Sequence, residues 1–175
     1  MKTLTLALIS GLLLAGAARA EVTDTSPAGF ETRTVEIINA PPAKVRAALV
    51  DIGAWWSGTH SYSGDARNLS LDLTTGCFCE RLKDGFVRHM TVVYVDANVL
   101  RLEGALGPLQ GTGAIGHLAF SLKPAADGKT SLTVGFDVGG YARGGLAETW
   151  AKPVDGVLAL QAARLKAYAE TGKPD

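Results

Sequence analysis

Cysteine is scarce in this sequence: only Cys77 and Cys79 occur among 175 residues. A scaffold held together by disulfides needs several pairs, so that class of protein is excluded. The two cysteines lie in a predicted strand, where residues two apart have Cβ atoms roughly 6–7 Å apart. A disulfide requires roughly 3.5–4.5 Å between these atoms. We therefore predict no bond between them. The pair would be free, metal-bound or joined to another chain, unless a local distortion holds it.

Long apolar runs are also missing, except at the N-terminus. Lys2 precedes an apolar stretch over residues 4–14, and Ala18-Arg19-Ala20 has the form of a cleavage site. This pattern is typical of an export signal. We expect residues 1–20 to be removed and the protein to be periplasmic or secreted, with a chain beginning at Glu21. The apolar run is too short to span a bilayer, so no stable membrane insertion is expected after cleavage.

Neither sign of charge is in excess. The sequence has 17 basic and 17 acidic residues, and loss of Lys2 and Arg19 with the signal leaves 15 basic residues and a net charge of −2. Proteins that bind nucleic acid present a basic face, so nucleic acid is not an expected partner. The remaining length suits one domain, predicted over residues 30–172 after a polar lead-in over residues 21–29.

Several catalytic motifs are absent, including G-x-S-x-G, H-E-x-x-H and the P-loop. A G-x-G-x-x-G run does occur over residues 111–116, but alternating residues follow it where a dinucleotide site needs a helix. We therefore reject a dinucleotide site. The glycine-rich segment 104–116 contains Leu106, Pro108 and Leu109 and is predicted to form a hairpin tip or the lip of a pocket.

Hydrophobic periodicity predicts an α+β fold. Short strands with alternating apolar residues indicate an antiparallel sheet of about seven strands with one dry face, which the last helix must cover. That helix starts at Pro153, or runs from Leu146 with a kink, and ends before Gly172. The predicted strands span residues 30–39, 69–73, 77–82, 86–95, 99–103, 117–123 and 131–138, and two short helices span 42–50 and 51–56.

These segments resemble one known superfamily. The resemblance lies in residues 35–45, in Ala54-Trp55-Trp56, in residues 91–96 with 100–102, and in the closing helix. Together they are similar to the START-like superfamily, also called SRPBCC, over nearly all of residues 30–170. The resemblance implies a helix-grip fold, in which a curved sheet wraps a long C-terminal helix. It also implies a cavity for lipids, sterols, polyketides or other apolar ligands, and it carries no universal catalytic residues.

Some polar residues could carry chemistry in such a cavity. Glu80, His89 and Tyr94 are candidates for acid–base groups. If the turn at Asp84-Gly85 has two residues, Glu80 lies opposite His89 and the cysteines face away; a three-residue loop would instead bring Cys79 opposite His89. The sequence Asp-Gly favours the first arrangement. We expect no metal and no cofactor, because small buried side chains explain the cysteines as well as a metal site does.

The predicted cavity has two walls. One wall consists of the sheet residues Leu69, Leu71, Leu73, Leu118, Phe120, Leu122, Leu132, Val134 and Phe136, and the other of Val157, Leu158, Gln161 and Leu165 on the helix. Aromatic residues with polar tips often line ligand sites, although core packing is the simpler explanation for at least one of the two adjacent tryptophans. The predicted ligand-binding residues are Trp55, Trp56, His60, Tyr62, Cys77, Cys79, Glu80, His89, Tyr94, Phe136, Leu158, Gln161 and Leu165.

Three functions remain open at this point. The favoured one is an exported protein that binds a small apolar or amphipathic molecule. The second is a cyclase- or hydrolase-type enzyme that uses the same cavity. The third is an interaction module with a filled core and no ligand. An open apolar cavity, convergent titratable groups or a closed core would distinguish the three.

Overall fold

Alternating apolar strands and one amphipathic helix account for the architecture in the computed structural model, which describes residues 19–175. The predicted signal peptide therefore lies almost wholly outside the described residues. The elements in chain order are β1 Arg19–Ser26, β2 Gly29–Ile38, α1 Pro42–Val50, α2 Ile52–Trp55, β3 Leu69–Asp72, β4 Cys77–Leu82, β5 Gly85–Val95, β6 Val99–Gly104, β7 Gly113–Pro124, β8 Thr130–Tyr141 and α3 Leu146–Thr171.

The eight strands form one antiparallel sheet in the order β1-β2-β8-β7-β6-β5-β4-β3. The α+β helix-grip prediction is confirmed, with eight strands instead of about seven. The extra strand is β1, which occupies most of the segment predicted to be only a polar lead-in. Because β1 is an exposed edge strand in which Val22 alone packs against the core, its sequence has no apolar alternation that would have predicted it.

The inward face of the sheet is apolar, as the alternation predicted. Six of its residues come from β7 and β8 and are almost fully buried: Leu118, Phe120, Leu122, Leu132, Val134 and Phe136. Leu69 and Leu71 on β3 are buried as well. Leu73 is an exception, because β3 ends at Asp72 and Leu73 lies in the following turn, 37% exposed. Of the nine sheet residues predicted to form a cavity wall, only Phe136 lines the cavity between the sheet and helix α3; the other buried ones belong to the packed core.

Helix α3 covers this face. It begins at Leu146, so Pro153 lies inside the helix, and it ends at Gly172, whose φ of 80° is left-handed and favours glycine. Its buried stripe includes Leu158, Gln161 and Leu165. No helix within residues 19–175 is both long enough and apolar enough to cross a bilayer.

The prediction that Cys77 and Cys79 do not bond to each other is wrong. They form a disulfide within β4, and their Cα atoms are 5.4 Å apart. The prediction assumed a regular strand, but the pairing between β4 and β5 changes register between Phe78 and Cys79. The extra residue of this bulge is His89 on β5, so the pairing between the two strands is irregular opposite the cysteines. The observed Cα distance lies within the roughly 4.4–6.8 Å range of disulfides.

Candidate functional site

A cavity of about 320 Å³ lies between one end of the sheet and helix α3. Its lining is mostly apolar and comes from the sheet, from the segment after α2, from the β6–β7 connection and from α3. The lining residues are Trp56, Thr59, His60, Ser61, Tyr62, Phe78, His89, Leu106, Gly107, Pro108, Leu109, Phe136, Trp150, Pro153, Val154, Val157 and Leu158.

The helical wall of the cavity follows from the geometry of α3. Trp150, Val154 and Leu158 are spaced four residues apart, and Val157 lies three residues after Val154, so all four share one face of the helix. Leu158 is buried, whereas the other three are half-buried at the wall of the cavity. The N-terminal half of α3 therefore lines the cavity, and the C-terminal half packs against the sheet.

The connection between β6 and β7 forms another wall. Its short 3-10 helix spans Gly107–Gly111, and Leu106, Pro108 and Leu109 line the cavity. The prediction that this glycine-rich segment forms a pocket lip is thereby confirmed. Gly107 has a φ of 56°, which a residue with a side chain rarely adopts.

The segment that follows α2 positions an indole in the wall. Trp56 is buried, and its Nε1 donates a hydrogen bond to the carbonyl oxygen of His60 at 2.9 Å. The Trp56 ring packs edge-on against Phe78, with ring centroids 5.6 Å apart. These contacts hold a large apolar surface against the cavity in one orientation.

The main polar feature at the cavity is a buried pair, Glu80 and His89. Nε2 of His89 lies 2.9 Å from Oε2 of Glu80. The His89 side chain is 4% exposed and the Glu80 side chain is 0% exposed. The Glu80 carboxylate also accepts hydrogen bonds from the backbone N–H groups of Tyr62 and Ser63. The Tyr62 ring stacks on the imidazole at a centroid distance of 5.9 Å.

The charge state of the pair follows from these contacts. Burial by itself would raise the pKa of Glu80, but hydrogen bonds from Ser63, Tyr62 and His89 outweigh burial and hold its pKa below the ordinary value. Burial lowers the pKa of His89, and the neighbouring Glu80 opposes this effect only in part. The pair at neutral pH is therefore an ionised glutamate beside a neutral imidazole, not an ion pair.

The register of the β4–β5 hairpin brings this pair together. Leu82 pairs with Gly85, so the turn residues are Lys83 and Asp84, one position earlier than predicted. His89 is then the extra residue of the bulge, opposite the step between Phe78 and Cys79. Glu80 and His89 share the inner face, as the favoured two-residue turn predicted, although the turn lies at different residues.

Comparison with known proteins gives structural matches alone. No family model and no curated protein sequence matches the chain. EF2215 of Enterococcus faecalis, a conserved protein of unknown function, is 16% identical with a TM-score of 0.57, covering 89% of this chain and 78% of that one. CalU16 of Micromonospora echinospora is 13% identical with a TM-score of 0.55, and the match covers 91% of this chain and 88% of CalU16. The di-domain ARO/CYC BexL of the BE-7585A pathway is 16% identical with a TM-score of 0.53, covering 83% and 50%.

The chain has the helix-grip fold. At these sequence identities the likeness extends to the fold and no further. The role of each predicted site residue therefore depends on its own position in the structure.

Six of the thirteen predicted site residues line the cavity: Trp56, His60, Tyr62, His89, Phe136 and Leu158. Glu80 lies behind His89 and contacts the cavity residues through hydrogen bonds.

Three predicted residues belong to the packed interior instead. Trp55 is 0% exposed, and Leu165 is 0% exposed in the part of α3 that packs on the sheet. Gln161 is buried, and its Oε1 accepts a hydrogen bond from the backbone N–H of Ser57 at 2.9 Å. These side chains fill the space that the second predicted wall was expected to leave open, so the cavity is confined to one end of the domain.

The remaining three predicted residues do not reach the cavity either. Phe78 and Glu80 point inward, so the flanking Cys77 and Cys79 belong to the opposite face of β4. Tyr94 is 44% exposed and donates a hydrogen bond to Asp96 at 2.7 Å. Within residues 19–175 no group of three or more histidine, cysteine, aspartate or glutamate side chains is arranged to hold a metal ion.

The residue-by-residue prediction missed several lining residues, of which Phe78 and Trp150 are the largest. Phe78 lies between the two cysteines, and its inward direction follows from that of Glu80 two residues later. Trp150 precedes Pro153, one of the two helix starts that the sequence allows, and it was not among the predicted lining residues. Its spacing of four from Val154 was the signal that could have identified it.

Proposed function

We propose that this protein is exported and holds a small apolar or amphipathic molecule in the cavity between the sheet and helix α3. The observation that carries the proposal is an apolar cavity with one buried polar pair at its wall. Ligand sites commonly combine a largely hydrophobic lining with a few placed polar groups. Most of the inward-facing apolar side chains are fully buried in the core, and the cavity is restricted to one end of the sheet and α3.

The size of the cavity indicates a compact ligand. Its volume of about 320 Å³ is at the lower end of the range of roughly 300–1,000 Å³ for small-molecule sites. Burying about 200 Å² of apolar ligand surface contributes about 5 kcal/mol before the cost of ordering the ligand. A micromolar dissociation constant corresponds to about 8 kcal/mol, so apolar burial of this size alone gives binding weaker than micromolar, and a rigid ligand loses least of the gain to ordering.

Export is supported by two features. The N-terminal sequence has the charged, apolar and small-residue regions of a signal peptide. The Cys77–Cys79 disulfide is stable in an oxidising compartment and uncommon in the cytosol. N-terminal sequencing of protein from the periplasm or medium should find Glu21 as the first residue. A cytoplasmic protein that retains Met1 would contradict export without affecting the ligand proposal.

The second candidate function is a cyclase- or hydrolase-type enzyme in the same cavity, and the Glu80–His89 pair favours it. A neutral imidazole held by a carboxylate is a common general base. The hydroxyl of Ser61, which also lines the cavity, donates to the Gly58 carbonyl at 2.8 Å and not to His89. This contact provides no activated serine nucleophile, so binding remains the favoured function. The third hypothesis, an interaction module, assumed a core without an open cavity, and the cavity between the sheet and α3 therefore speaks against it.

A blocking variant tests the binding proposal. Val157→Trp should place an indole in the cavity and abolish the fluorescence enhancement of the neutral apolar probe N-phenyl-1-naphthylamine. Leu160→Trp is the matched control, because Leu160 lies on the same helix and is 41% exposed away from the lining. Equal probe binding by both variants, with wild-type thermal stability, would contradict the proposal. Native mass spectrometry of the wild-type protein would show whether the protein retains a bound molecule unchanged, as a binding protein would, or converts it to a product, as an enzyme would.

A further inference from the structure

His89 lines the cavity, and its Nδ1 is a buried ring nitrogen with no hydrogen-bond partner among residues 19–175. We propose that this nitrogen accepts a hydrogen bond from a ligand hydroxyl, so that the protein selects neutral apolar alcohols or phenols. The inference rests on the proposed binding function and specifies its ligand class.

The tautomer of His89 follows from its neighbours. The oxygens of Glu80 accept hydrogen bonds from the backbone N–H groups of Tyr62 and Ser63, which stabilise the ionised carboxylate. An ionised carboxylate has no proton to donate, so the contact at 2.9 Å requires the proton on Nε2 of His89. Nδ1 of the neutral ring therefore carries a lone pair.

That lone pair is isolated. His89 is 4% exposed, and Nδ1 is buried without a hydrogen-bond partner among residues 19–175. The faces of the ring are covered by Tyr62, which stacks on it, and by Phe78, at a centroid distance of 5.1 Å. Buried acceptors normally have a hydrogen-bond partner within the protein. Without one, the acceptor loses its hydrogen bond to water on burial and gains no other in exchange. Because the His89 side chain lines the cavity, a small rotation of the ring would let a molecule bound there supply the donor.

The chemistry of the surroundings selects among possible donors. An ammonium group has three N–H donors and a full charge. A single acceptor in an apolar cavity leaves two of these donors without a hydrogen bond and the charge without compensation for its lost hydration. A carboxylate has only acceptors, so it would face the Nδ1 lone pair and lie near the charge of Glu80. A hydroxyl has a single donor and no charge. It satisfies Nδ1 at the smallest cost of desolvation.

Three probes of one shape test the selection: naphthalene, 2-naphthol and 2-naphthoate. Each is used to displace N-phenyl-1-naphthylamine from the full-length mature protein. We expect 2-naphthol to bind about tenfold more tightly than naphthalene, because it satisfies a buried acceptor that the hydrocarbon leaves unpaired. We expect 2-naphthoate to bind more weakly than either.

His89→Phe removes the acceptor and keeps an aromatic ring of similar size. The preference for 2-naphthol over naphthalene should fall to about one in this variant. His117→Phe is the matched control and should keep the preference, because His117 is exposed and pairs with Glu103 outside the cavity. Wild-type protein labelled with ¹⁵N gives a second readout. Addition of 2-naphthol, but not of naphthalene, should shift the His89 Nδ1 resonance, even if the variant fails to fold.

The outcomes separate this inference from the proposed function. If naphthalene and 2-naphthol bind wild-type protein equally and Nδ1 does not shift, the binding function stands and the hydroxyl selection is overturned. Tightest binding of 2-naphthoate also overturns it, because that ligand would require a protonated His89. If no probe binds, both the binding function and the inference fail.

Discussion

Oε2 of Glu80 accepts the Nε2–H of His89 across a distance of 2.9 Å, and neither side chain is open to solvent. The pair lies on neighbouring strands at a bulge, with His89 at the wall of the cavity and Glu80 behind it. Its buried state makes the stability of the protein depend on pH.

The free energy of unfolding should fall as the pH drops below about 6.5. Burial lowers the pKa of His89 in the folded protein, whereas the unfolded chain takes up a proton near the ordinary histidine value of about 6.5. The unfolded state therefore binds more protons, and the slope approaches about 1.4 kcal/mol per pH unit. Glu80, whose folded pKa is also lowered, adds a second loss below about pH 4.3.

Urea unfolding at several pH values measures this effect. His89→Phe should remove the slope just below pH 6.5, and His117→Phe should retain it. A wild-type slope unchanged by His89→Phe would show that other groups cause the acid sensitivity.

Cys77 and Cys79 should be oxidised in the mature protein. Their Cα distance of 5.4 Å suits a disulfide, so the non-reduced monomer should be two hydrogens lighter than the reduced one and have no free thiol when unfolded. Because the bridge joins residues only two apart, replacing both cysteines by serine should cost less than the roughly 3 kcal/mol of a 15-residue loop. Two free thiols in protein recovered from an oxidising compartment would contradict the structure.

Leu165 should contribute to stability and not to ligand binding. It is 0% exposed and lies outside the cavity lining, so Leu165→Ala should lower the free energy of unfolding by about 2–5 kcal/mol. The folded fraction should still bind N-phenyl-1-naphthylamine with wild-type affinity. Val157→Ala is the comparison, because Val157 is half-buried at the cavity. It should change probe affinity with a smaller loss of stability. The reverse result would place the ligand deeper along α3.

Much of the fold could be predicted from local patterns. Alternation of Leu118, Phe120 and Leu122 specifies both a strand and its buried face, because side chains alternate across a strand. The apolar stripe on α3 specifies a helix that must cover that face. The edge strand β1 could not be predicted in this way, because an exposed edge strand needs backbone partners and not a buried face.

The site was predictable only in part. Trp56, His60, Tyr62, His89, Phe136 and Leu158 line the cavity as expected, whereas Trp55, Gln161 and Leu165 fill the core. Periodicity shows which face of an element is apolar, but not whether the facing space is filled by other side chains.

The sequence by itself determined the inward faces of the strands, the covering helix and the glycine-rich lip, because these depend on local periodicity and turn chemistry. Only the tertiary structure decided the register of the β4–β5 hairpin. The bulge at His89 and the turn at Lys83 and Asp84 arise from pairing between strands. That pairing set His89 against Glu80. A shift of one residue reverses the face of every side chain beyond it, and the choice of register depends on contacts across the whole sheet.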